Sequence, residues 1–101
     1  MTVKTQQPEL QGASGITVAK PDQEDLVAEN VTSWPIWEKD RSTFEWHFGE
    51  QETCFCLDGE ATVRTIDGEI TIGKGDLVTF PAGCECQFRV KKPISARLRV
   101  G

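Results

Sequence analysis

No apolar run in the 101 residues approaches the ~20 needed to cross a bilayer as a helix, so no transmembrane helix is expected. Residues 1–11 lack the apolar centre of a signal peptide, which makes the cytosol the expected location. Basic side chains are scarce: eleven Lys and Arg stand against sixteen Asp and Glu, a net charge of −5. That balance argues against nucleic acid and against an anionic membrane as partners. A Gly-rich phosphate loop, a nucleophile elbow and a Ser/His/Asp set are all missing. Histidine occurs once, at His47. The apolar fraction of 38% and charged fraction of 27% are those of an ordinary globular domain, with length for one modest core.

Turn signals, by contrast, are dense. Asp58-Gly59, Asp67-Gly68, Gly73-Lys74-Gly75 and Pro81-Ala82-Gly83 separate short stretches of alternating polarity. Asp67-Gly68 reads as a two-residue hairpin, because both central positions favour positive φ. Together with the absence of a helical period, this predicts an all-β domain, a small antiparallel barrel or jelly roll. Residues 1–14, rich in Gln, Gly, Thr and Ser, are expected to form a disordered tail before a single domain over 15–101. One short helix is expected near the start: Asp22 can cap it, and Asp25 follows three residues on. Leu26, Val27 and Ala28 give it an apolar side, and it should end near Asn30. Trp34-Pro35-Ile36-Trp37-Glu38 suits an extended edge segment packing as a lid, since proline cannot donate to a central ladder.

Strand parity then sorts side chains onto faces. Phe44, Trp46 and Phe48 share one face, with Glu45 and His47 on the other. Glu52, Cys54 and Cys56 share a face opposite Phe55 and Leu57; Asp58-Gly59 reads as a turn into residues 61–66. Cys84, Cys86, Phe88 and Val90 share a face in a strand that Lys91-Lys92-Pro93 is expected to end. The four cysteines form two Cys-x-Cys pairs, which places both sulfurs of each pair on one face. Reduced, buried thiols are expected. Residues two apart on a strand are about 6.5–7 Å apart, too far for a disulfide within a pair, while a cross-strand link such as Cys54 to Cys86 stays open.

These residues resemble the cupin superfamily, whose first motif is G-x5-H-x-H-x3,4-E-x6-G and whose second is G-x5-P-x-G-x2-H-x3-N. Glu52 and Gly59 fit the end of the first; Gly75, Pro81 and Gly83 fit the second. Counting from them puts the histidine positions at Glu45, His47 and Cys86. The wording of residues 34–38, 52–55 and 75–81 is similar to small single-domain cupins grouped with the cupin domain of (S)-ureidoglycine aminohydrolase. The resemblance implies a cupin-like jelly-roll barrel with one short N-terminal helix, commonly as a homodimer. A metal-bearing cupin holds Mn, Fe, Ni or Zn with three His and one Glu; here only His47 and Glu52 keep the expected type. Carboxylate and thiolate are both competent ligands, sulfur favouring Zn or Fe over Mn.

Two functional readings follow. In one, Glu45, His47, Glu52 and Cys86 hold a divalent transition metal for an enzyme acting on a small polar metabolite. Glu45, His47 and Glu52 then serve as acid/base groups, and Cys54, Cys56, Cys84 and Phe88 line the pocket. In the other, the barrel is metal-free and captures a small ligand or acts as an accessory subunit. The metal reading turns Glu45 and His47 inward and Phe44, Trp46 and Phe48 outward, where the Trp34–Trp37 segment or a second subunit would cover them. The reverse parity puts the aromatics in the core and Glu45 and His47 in solvent.

Overall fold

A computed structural model describes residues 10–11 and 15–101. Its elements are β1 (Leu10–Gln11), β2 (Thr17–Ala19), α1 (Gln23–Ala28), β3 (Ile36–Lys39), β4 (Ser42–His47), β5 (Glu52–Thr65), β6 (Gly68–Gly73), β7 (Leu77–Phe80) and β8 (Glu85–Val100). Two long antiparallel strands, β5 and β8, organise them. Each is bent in the middle, where the register between them slips at Cys56/Asp58, Asp58/Glu60 and Glu60/Ala61. On one side of the bend the strand order is β1-β2-β7-β5-β8-β3. On the other, β6 pairs with the second half of β5, and β4 with the first half of β8. The two halves close over one core that joins Val78 and Phe80 to Val63, Ile72, Phe88 and Val90. This is the all-β jelly roll that the alternating pattern predicts.

The bend corrects two expectations. Asp58-Gly59 does not reverse the chain, and Pro93 does not end the last strand: β5 and β8 both run straight through. The reason is that the two sites meet. Gly59 adopts φ +94°, and a Cβ there would lie 2.2 Å from the Pro93 carbonyl oxygen and 2.6 Å from the Ile94 Cα. Only glycine permits that approach, and the irregular ladder beside it tolerates a residue with no N–H. The Asp67-Gly68 hairpin likewise shifts by one residue: Thr65 pairs with Gly68, so Ile66 and Asp67 form the loop.

Helix α1 starts where expected. Asp25 N–H donates to the Asp22 carboxylate at 2.9 Å and Asp22 N–H to the Asp25 carboxylate at 3.3 Å, a reciprocal capping box. The helix buries none of its residues, so its caps and not its apolar side hold it, and Val27 is exposed. Asn30 follows in the left-handed region at φ 56°. Ile36–Lys39 is an edge strand on β8, as Pro35 implies, and Trp34 is buried beneath the Arg99 guanidinium. Of the expected tail, Leu10 and Gln11 pair with Val18 and Thr17; residues 1–9 and 12–14 lie outside the described residues.

Candidate functional site

The parity of β4 decides what the barrel contains. Cross-strand partners share a face, and Phe44 pairs with Phe88, Trp46 with Cys86, Glu45 with Gln87 and His47 with Glu85. Phe44 stacks on Phe88 at 5.3 Å, and Phe48, buried, stacks on Phe80 at 4.4 Å. Two backbone bonds pin Phe48 inward, from its own N–H to the Cys84 carbonyl and from Gly83 N–H to its carbonyl. Phe44 and Phe48 therefore face in, while Trp46 on the same face stays half exposed, and the inward placement of Glu45 and His47 that the motif register implied is corrected. His47 lies on the outer face, its side chain 60% exposed, with Nδ1 3.3 Å from a Glu85 carboxylate oxygen. Burial of Phe48, and of Phe44 in part, outweighs whatever a polar interior would gain.

The inward faces enclose a cup of about 460 Å³, within the range of small-molecule pockets. Register explains its lining. Glu52 and Cys54 of β5 lie opposite Phe80 and Val78 of β7 and opposite Val100 and Leu98 of β8. Trp37 and Lys39 of β3 lie opposite Ala96 and Ile94. Phe44, Trp46 and Phe48 complete the wall. Most of that surface is aromatic or aliphatic. Its polar groups are Glu52 and Cys54, with Glu45 and Lys39, both exposed, at the edge.

Electrostatics follow from this lining. Burial, and then the neighbouring Glu50, push the Glu52 carboxyl above its ordinary value. Glu52 makes no side-chain hydrogen bond or ion pair among the described residues. A hydrogen bond with Cys56 and burial push the Cys54 thiol well up. Burial also raises Cys84, and it drives Cys86 up to about 12. All four cysteines are free thiols. Cys54, Cys84 and Cys86 are thus not primed as nucleophiles, because a reactive cysteine needs a lowered pKa.

The four expected ligands are not brought together. Glu52 lines the cup, and His47 and Cys86 line a separate outer groove beside the 81–84 turn and the start of β8; Glu45 touches both. Among the described residues, no three His, Cys, Asp or Glu side chains are placed to share an ion. Of the expected pocket-lining residues, Cys54 and Phe88 line the cup, Cys56 is buried in the core, and Cys84 belongs to the outer groove. Sequence reasoning missed Trp37, Trp46, Phe48, Phe80 and Leu98. The available signal was the pairing of two aromatic strand faces, Phe44/Phe48 against Phe88.

Comparison with known proteins places the chain. The EutQ-like cupin domain family matches residues 26–97. A DUF861 family protein from Thermotoga maritima is 41% identical, covers 85% of this chain and 99% of its own, and superposes with a TM-score of 0.83. The Clostridium difficile EutQ protein is 16% identical with a TM-score of 0.58, covering 90% of this chain and 57% of its own. A cupin superfamily protein from Desulfitobacterium hafniense is 14% identical, covers 97% of this chain and 80% of its own, and has a TM-score of 0.55. The last two share the fold alone. No curated protein matches. In sequence and in architecture, the chain belongs to the EutQ-like cupin domain family.

Proposed function

We propose that this small cupin is a metal-free binding module that takes a small organic ligand into its cup. The observation that carries the reading is the inward aromatic face of β4, which lines the cup with rings where a polar barrel would present donors. The rival reading, a metal-assisted enzyme, needs Glu45, His47, Glu52 and Cys86 to converge on a divalent ion. His47 on the outer face and Glu52 at the cup weigh against it, since a transition-metal site requires its donors within about 2–2.3 Å of one ion. The likeness to the ureidoglycine aminohydrolase cupins rests on the wording of residues 34–38, 52–55 and 75–81, and we draw no activity from it.

A fluorescence screen tests the proposal, because Trp37 and Trp46 line the cup and report on its contents. Small amphipathic compounds are screened against the full chain with and without chelator. The expected result is saturable quenching that chelator leaves unchanged and that Trp46→Ala weakens. A stoichiometric transition metal in the purified protein, with binding lost on chelation, would contradict it.

A further inference from the structure

The identity of the ligand can be narrowed, on the premise that the cup is a ligand site. Glu52 is a half-buried carboxylate on an apolar wall, without a side-chain partner among the described residues. Such a group loses part of its hydration and offers an incoming cation a charge partner with no competing side chain. The second observation lies at the mouth. Lys39 holds its ammonium over the Phe44 ring, Nζ to centroid 4.9 Å, and both residues line the cup. The protein thus already seats an ammonium against one of these rings, on an exposed side chain free to swing away. Beside it, Trp37 and Trp46 present further partly exposed ring surface.

We infer that the ligand is an organic cation, an ammonium group on a small apolar body, with Glu52 as its charge partner and Phe44, Trp37 and Trp46 as its ring contacts. Lys39 then acts as a resident competitor that an incoming ammonium displaces. The net charge of −5 favours the approach of a cation. An anion would meet Lys39 but also Glu45 and Glu52, two carboxylates against one ammonium.

Three molecules of similar size and differing charge make the test: phenethylammonium, phenethyl alcohol and phenylacetate. Each is titrated calorimetrically at neutral pH into the full chain, into Glu52→Gln and into Lys39→Gln. Both substitutions keep a polar side chain of similar length, and thermal melts confirm the fold. Phenethylammonium is expected to bind at least about tenfold more tightly than the alcohol, with phenylacetate weakest. That preference should vanish in Glu52→Gln, and cation affinity should rise in Lys39→Gln. Equal binding of cation and alcohol, or a preference for phenylacetate, overturns the inference and leaves the cup a ligand site. A cation preference that survives Glu52→Gln overturns the role of Glu52. If none of the three binds, both the inference and the cup reading fall.

Discussion

On the inner side of β4, Phe44 stacks on Phe88 at 5.3 Å and Phe48 on Phe80 at 4.4 Å; on the outer side, His47 meets Glu85 at 3.3 Å with most of its side chain in water. One stretch of chain, β4 with Phe48 just beyond it, supplies both. Side chains on the inner face give up water for ring contacts and enclose a cup; those on the outer face form a screened surface pair above an open groove. The difference teaches where binding energy is available. A ligand entering the cup displaces water from apolar surface and meets a carboxylate in a shielded setting, whereas one in the groove competes with solvent at every contact.

The largest way to break this comparison is to empty the inner face. Phe48→Ala removes a buried ring from the Phe48–Phe80–Phe88 cluster, and it should cost about 3–5 kcal/mol, lowering Tm by roughly 12 °C or more. Thermal unfolding followed by circular dichroism measures it, and a loss no larger than that of a surface substitution would erase the contrast. A smaller effect should appear in alkali. Cys86 is raised from an ordinary 9.0 to about 12, so the folded chain keeps a proton that the unfolded chain loses. The stabilisation this gives is complete below pH 9 and disappears as pH climbs through about 12. Wild type should therefore lose urea stability over that window more steeply than Cys86→Ala, although the variant starts lower. Parallel slopes would refute the assignment. The smallest effect belongs to the outer face: His47→Ala should change stability by less than about 0.5 kcal/mol and leave ligand binding intact. A larger loss would mean that the imidazole does more than its exposed contact with Glu85 indicates.

Much of this was legible in the chain itself. Asp22 and Asp25 announced their capping box, and the shared face of Glu52, Cys54 and Cys56 followed from parity. So did the buried face of Cys84, Cys86, Phe88 and Val90. Two things were not legible, each for a physical reason. The meeting of Gly59 with Pro93 joins positions far apart in sequence, so each looked locally like a terminator when together they make a bend. On β4 the motif register and the hydrophobic alternation pointed opposite ways. Burial of Phe44 and Phe48 won, and Phe48 is fixed by bonds to the 83–84 turn that no reading of β4 alone could supply. Membership of the cupin fold thus told which strands exist, while local chemistry told which way they face.

His47 is the sole histidine, so its reaction with diethylpyrocarbonate reads out the orientation of β4 without ambiguity. The inward aromatic face predicts that the folded protein is modified as fast as the urea-unfolded chain, with ligand binding unaffected. Strong protection of that imidazole in the folded state, relieved by urea, would contradict it.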